Sequence, residues 1–226
     1  MDKIFHTVLA LKYRPQTFDD LIGQETMVQT ITNSIKFNKL PNAYLLTGIR
    51  GVGKTTTARI IAKALNCKKN FEQKESSKLK ETCHCEHCDA ISKSSHIDVL
   101  EMDAASRTGI EDIRELIETS RYNPSISRYK IFIIDEVHML SKQAFNGLLK
   151  TLEEPPKHLK FIFATTEANK IPITIISRCQ RFDLRRISLE LLVKNLKKIP
   201  VTIVSRCQRF DLHRISVQKL HDNLER

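Results

Sequence analysis

Nowhere does the sequence hold an uncharged apolar run of about 18 residues, the length that marks a membrane-spanning helix. Its opening, MDKIFHTVLALKYRP, has no sustained apolar core before Lys12 and Arg14, so it does not read as a secretory leader. These absences lead us to expect a cytoplasmic chain with no membrane partner. Acidic residues are also short, 26 Asp+Glu against 37 Lys+Arg, for a formal charge of +11. Such an excess suits a polyanionic partner, because Lys and Arg gain affinity for phosphate backbones by releasing counterions; a solvated basic surface is the other reading. The surplus is uneven, with 12 Lys+Arg against 5 Asp+Glu in residues 171–226. Glycine is scarce as well, and three of the six glycines fall between positions 48 and 53.

What is present has the balance of a globular protein, 41% apolar and 28% charged. The 226 residues suffice for one α/β core or for a domain with a small appendage. Apolar, strand-like runs recur at Ala43–Leu46, Ile97–Met102, Ile131–Ile134 and Phe161–Ala164. Between them, stretches such as Gly109–Thr119 and Ser141–Leu152 space their apolar residues as amphipathic helices do. This alternation predicts a parallel sheet covered by helices. From Lys68 to Cys88 the pattern breaks into a polar insertion ending in cysteines, which is expected to stand outside the sheet.

One segment is duplicated. Lys170–Ser188 (KIPITIISRCQRFDLRRIS) recurs 28 residues later as Lys198–Ser216 (KIPVTIVSRCQRFDLHRIS), identical at sixteen of nineteen positions. A single near-perfect copy reads as a recent duplication and not as a repeat architecture. Both copies suit the same sheet edge, and the first is expected to take it because its connection to the preceding strand is short.

The chemistry concentrates at Gly48-Ile49-Arg50-Gly51-Val52-Gly53-Lys54-Thr55, between an apolar strand and the helical TTTARIIAKAL. Glycines let backbone N–H groups turn around phosphates while the helix presents its positive end. Lys54 is expected to reach the β- and γ-phosphates and Thr55 to offer a hydroxyl to Mg²⁺; Gly48, Gly51, Val52, Gly53 and Thr56 complete the expected nucleotide contacts. Ile131–Ile134 then carries a buried strand out to Asp135 and Glu136, at the end of the sheet where ligands bind. Asp135 suits the Mg²⁺ hydration shell, and Glu136 suits a general base that activates water; taken alone, such a pair also serves as a helix cap. The strand Phe161–Ala164 ends in Thr165-Thr166, where the Thr166 hydroxyl could sense a γ-phosphate or simply form a turn.

Cys67, Cys83, Cys85 and Cys88 cluster around the insertion, while Cys179 and Cys207 are copies of one position. Four thiolates can hold Zn²⁺ tetrahedrally, and Cys85-x-x-Cys88 has knuckle spacing. Cys83-x-Cys85 is tight for a second knuckle, His84 and His87 offer alternative ligands, and reduced thiols without metal are the other reading.

These motifs together resemble the AAA+ ATPase region of the bacterial DNA polymerase III gamma/tau subunits, the motor of the sliding-clamp loader, over about residues 8–190. The resemblance rests on Ala10-Leu11-Lys12-Tyr13-Arg14-Pro15 with Phe18 to Gln24, the Gly48 loop, Asp103-Ala104-Ala105-Ser106-Arg107 and Asp135-Glu136-Val137-His138-Met139-Leu140. Leu152-Glu153-Glu154-Pro155-Pro156, Ala164-Thr165-Thr166 and Ser177-Arg178-Cys179 extend it. It implies an AAA+ core with a parallel five-stranded sheet flanked by helices, binding ATP, Mg²⁺ and, in a small zinc-knuckle insertion, Zn²⁺. It places Lys12, Tyr13 and Arg14 at the nucleotide, and Arg178 as an arginine finger on ATP held by a neighbouring subunit. Arg107 and Lys170 become candidates for touching the DNA backbone. The implied partners are other clamp-loader subunits, the sliding clamp and primed DNA.

The sequence departs from the family pattern in the insertion and in the tail. Thr82 stands where a second zinc ligand is expected, and Cys83 comes one residue late. After Ser188 the resemblance implies a helical lid with a Gly-Ser-x-Arg-Asp-Ala-type segment, but Leu189–Lys197 runs into the second copy, whose Arg206 would be a decoy finger. The expectation is therefore an ATP-binding core over 1–188, with residues 67–88 as its zinc insertion, and a degenerate tail over 189–226 without lid or collar. Three readings follow: a clamp-loader ATPase, a nucleotide-binding module without turnover, and a truncated remnant.

Overall fold

The computed structural model describes residues 14–68, 83, 85–106 and 109–187. Lys12, Tyr13, Thr82, His84, Arg107, Arg206 and the whole second copy lie outside these residues.

Five strands form one parallel sheet: β1 (Ala43–Thr47), β2 (Val99–Asp103), β3 (Lys130–Asp135), β4 (Leu159–Thr165) and β5 (Gln180–Asp183), in the order β2-β3-β4-β1-β5. Among the described residues, six α-helices run between and before them: α1 (Glu25–Lys36), α2 (Lys54–Asn66), α3 (Glu86–Ser92), α4 (Ile110–Ser120), α5 (Lys142–Glu153) and α6 (Ile173–Ile176). No helix among the described residues is long and apolar enough to cross a membrane.

The strands at the centre of the sheet are apolar on both faces because both faces are covered. Successive side chains alternate, so Tyr44 and Leu46 pack with Ile131, Ile133 and Ile162 against α1, α2 and α3. Ala43 and Leu45 pack with Phe132, Ile134, Phe161 and Phe163 against α4, α5 and α6. Burying one such side chain stabilises the fold by about 1.5–3 kcal/mol, and both layers hold many.

The observed strands follow the predicted runs with two differences. β2 begins at Val99, two residues after the expected Ile97, because Ile97 is 65% exposed while Asp98 is buried. Asp98 accepts hydrogen bonds from the backbone N–H groups of Ser125, Ile126 and Ser127 and from the Ser127 hydroxyl, at 2.7–3.0 Å. At the other edge, the first copy of the duplicated segment supplies β5, but only Gln180–Asp183 is strand; Ile173–Ile176 is helical. Its three differences from the second copy fall at exposed Ile173, part-buried Ile176 and exposed Arg185.

The far ends of α2 and β3 are joined by a buried side chain. Asn66 donates to the Tyr129 carbonyl at 2.9 Å and accepts from the Tyr129 N–H at 3.0 Å, as a neighbouring strand would. These bonds tie α2 to the start of β3 at the end opposite the loop and the carboxylates.

Burial opposes ionisation of Asp98, but the donors from Ile126, Ser125 and Ser127 outweigh it and hold the carboxyl below its ordinary value. Asp98→Asn turns an amide toward these donors and is expected to cost about 1–3 kcal/mol of stability. The folded pKa is depressed, so this contribution is present above the unfolded value of about 3.9 and is lost as pH falls through the folded one. Urea unfolding of both proteins should therefore show a gap at neutral pH that narrows below about pH 4.

Candidate functional site

The loop between β1 and α2 and the C-terminal end of β3 enclose a cavity of about 360 Å³. Gly51, Gly53, Lys54, Thr55 and Thr56 line one side; Asp135 and Glu136 line the other; Arg14 and Arg50 stand with them. Gly53, the residue that caps the start of α2, has φ +99°, a left-handed conformation that glycine adopts without penalty. Its turn leaves the first N–H groups of α2 without helical partners, the usual makings of an anion site.

Lys54 is 5% exposed, and a buried ammonium needs acceptors. It donates to the carbonyls of Gly48 at 3.1 Å and Ile49 at 3.3 Å, with Nζ 4.0 Å from Glu136 Oε1. The Thr55 hydroxyl donates to Asp135 Oδ2, and Asp135 Oδ1 accepts the Glu136 N–H at 2.9 Å. Glu136 has φ +45°, a strained value for a residue with a side chain. Its Oε2 accepts the Thr166 N–H at 3.1 Å and the Thr166 hydroxyl at 3.0 Å. The Arg14 Nε donates to the Thr56 hydroxyl at 2.9 Å. Two paired acceptors, an ammonium and loose backbone donors thus meet around one space, an arrangement able to hold a polyphosphate with a hard cation.

The other predicted residues lie elsewhere. Val52 packs on the apolar core, and Gly48 sits behind the loop against Leu184. Arg178 is exposed and outside the cavity, donating to Glu153 at 2.7 Å and to the Thr174 carbonyl at 2.7 Å. Lys170 pairs with Glu167 at 2.9 Å. Two residues given no role from sequence belong to the site: Arg50 at the cavity and His138, whose side chain is 6% exposed beside Glu136. His138 lies two residues past Glu136 in the Asp135–Leu140 motif, where the residue pattern alone assigns it no contact.

The insertion does gather its cysteines. Cys67 follows α2, Cys85 precedes α3 and Cys88 lies in its first turn, and with Cys83 their sulfurs lie within 4.8 Å of one another. A tetrahedron with metal–sulfur bonds of about 2.3 Å has edges of about 3.8 Å, so the four fit one ion. Hydrogen bonding with Cys67, and then burial, push the Cys88 thiol far above its ordinary range. Burial likewise raises Cys83. His87 is not in the group. It turns to His96, with ring nitrogens 2.8 Å apart, and His96 accepts the Asp98 N–H through its other nitrogen.

A family model described as "DNA polymerase III, delta subunit" matches residues 23–188. The DNA polymerase III subunit gamma of Buchnera aphidicola from Baizongia pistaciae is 51% identical over 186 residues, 82% of this chain and 49% of that protein. Subunit tau of Bacillus subtilis is 50% identical over 182 residues, 80% of this chain and 31% of that protein. Subunit tau of Escherichia coli K12 is 45% identical over 192 residues, 85% and 29% respectively. The chain thus spans about half or less of the length of these curated relatives. Among solved structures, the Thermotoga maritima RuvB Holliday junction branch migration motor superposes with a TM-score of 0.57 at 20% identity. That match covers 85% of this chain and 55% of the other, and shows a shared fold.

The loop geometry predicts unequal glycines. A Cβ on Gly48 would meet the Leu184 carbonyl at 2.9 Å and Val52 Cγ1 at 3.0 Å, whereas one on Gly51 would meet nothing within 4 Å. Gly48→Ala is expected to cost about 2–3 kcal/mol through clash and strain. Gly51→Ala pays only the left-handed backbone, about 1–2 kcal/mol. Parallel thermal and urea unfolding check the order.

Proposed function

The chain belongs to the gamma/tau family of bacterial DNA polymerase III subunits, and on that premise we propose that its cavity takes ATP with Mg²⁺ to drive a clamp loader. The observation that carries the reading is the convergence of Lys54, Thr55, Asp135 and Glu136, from two strand ends, on one cavity. In this reading Lys54 moves its ammonium from the Gly48 and Ile49 carbonyls to the β- and γ-phosphates. Thr55 and Asp135, already paired, would hold Mg²⁺, which when bound would offset the negative charge of the phosphates. Glu136 orients water at the γ-phosphate and takes its proton. Arg178 leaves Glu153 to reach ATP on the neighbouring subunit, so turnover depends on assembly.

We assign this ATP-binding core to residues 1–188 and a tail to 189–226. Lys12, Tyr13, Arg14 and Thr56 complete the nucleotide contacts, and the Thr166 hydroxyl passes from Glu136 to the γ-phosphate. Neighbouring clamp-loader subunits, the sliding clamp and primed DNA are the proposed partners, with Lys170 and Arg107 toward the DNA backbone, in the cytoplasm. We further assign Zn²⁺ to Cys67, Cys83, Cys85 and Cys88, where it would cross-link the end of α2 to the start of α3.

Equilibrium binding of Mg-ATP tests the central assignment. Lys54→Ala is expected to weaken affinity about 10- to 100-fold, the loss of a charge-assisted contact; unchanged affinity would refute it. Glu136→Gln should keep affinity and abolish turnover, while Arg178→Ala should lower turnover only in the assembled ring. For zinc, chelator-free protein should carry about one equivalent by elemental analysis, and below about half would favour reduced thiols.

A further inference from the structure

Glu136 is held by more than Thr166. His138 comes from a short 3-10 helix, Val137–Met139, that begins directly after the carboxylate. Its Nδ1 lies 3.0 Å from the Thr165 hydroxyl and 3.4 Å from Glu136 Oε2, and its Nε2 lies 3.6 Å from Glu167 Oε1. The Thr165 hydroxyl is itself anchored, accepting the Glu167 N–H at 3.0 Å. Both ring nitrogens therefore face groups at the end of β4 or the carboxylate itself, and the ring is almost wholly buried.

We infer that His138 is a positioning residue for Glu136: with Thr166 it brackets Oε2, which leaves Oε1 as the oxygen presented to the cavity. Two observations support this. Thr165 and Thr166 are consecutive, so His138 on the first and Glu136 on the second form one closed cluster across the tips of β3 and β4. In addition, Glu136 keeps a left-handed backbone, a conformation that persists only where the surroundings over-determine it. Removing the imidazole frees the carboxylate to rotate and the backbone to relax, and misplacing a base by about 1 Å costs up to about a hundredfold in rate. The phosphate contacts of Lys54 and Thr55 do not pass through His138, so binding is spared.

The inference rests on the reading of Glu136 as the base, and the test separates the two. Single-turnover hydrolysis of radiolabelled Mg-ATP by the full chain, in excess and assembled with its neighbouring clamp-loader subunits, gives the rate; a non-hydrolysable ATP analogue gives affinity, and thermal unfolding monitors the fold. His138→Ala is expected to lose about tenfold or more in rate with analogue affinity within about twofold. His138→Asn places an amide near the Nδ1 position and should recover most of the rate; His138→Gln, which reaches the Nε2 position, should not. A His138→Ala rate equal to wild type, a loss confined to affinity, or equal rates for Asn and Gln overturns the inference. If His138→Ala does not fold, the Asn and Gln rates decide alone. A wild-type rate no higher than that of Glu136→Gln overturns the base assignment first, and the inference with it.

Discussion

A parallel sheet covered on both faces can offer polar chemistry only where its strands end, and everything functional here follows from that constraint. Tyr44, Leu45, Phe132, Ile133, Phe161 and Ile162 are each less than 2% exposed, which leaves no room for a charged ligand along their lengths. Thr47, Asp135 and Thr165 are the last residues of β1, β3 and β4, and each begins a polar tip. Because β1 lies between β4 and β5, the loop leaving it faces the carboxylates leaving β3 across the tip of β4. The hydrogen bond from Thr55 to Asp135 closes that gap.

How much of this was legible depended on whether local composition matched the environment. β3 and β4 were readable because an apolar run is what double coverage demands. Their leading residues were not: Lys130 and Lys160 look like exposed residues yet are 9% and 5% exposed. Lys130 reaches the Thr119 carbonyl at 2.6 Å, and Lys160 reaches Asn42 at 2.8 Å while lying over the Tyr129 ring. β5, with the polar sequence Gln-Arg-Phe-Asp, has only an edge to fill and carries no apolar signature.

The site was legible as a list and less so as an arrangement. The loop glycines, Lys54, Thr55, Asp135 and Glu136 announce themselves by spacing, and they converge. Thr166 was read from sequence as a γ-phosphate sensor or a turn residue, with no hint that its hydroxyl and N–H both donate to Glu136. His138 carries no pattern of its own, since its contacts span 27 residues to Thr165. The tight Cys83-x-Cys85 step argued only against a second standard knuckle; Cys85 sits at the bend into α3, and its sulfur and that of Cys83 both lie within 4.8 Å of the Cys67 and Cys88 sulfurs.

The helix α2 joins the two chemistries, with Gly53 at one end and Cys67 at the other. Its 13 residues span about 20 Å, more than twice the distance of about 8 Å over which charge is felt through physiological salt. Exposed charges at its two ends are therefore largely screened from each other by salt. Gly53 and Cys67 cap one unbroken run of turns, so a displacement of either end would reach the other as leverage along a rod.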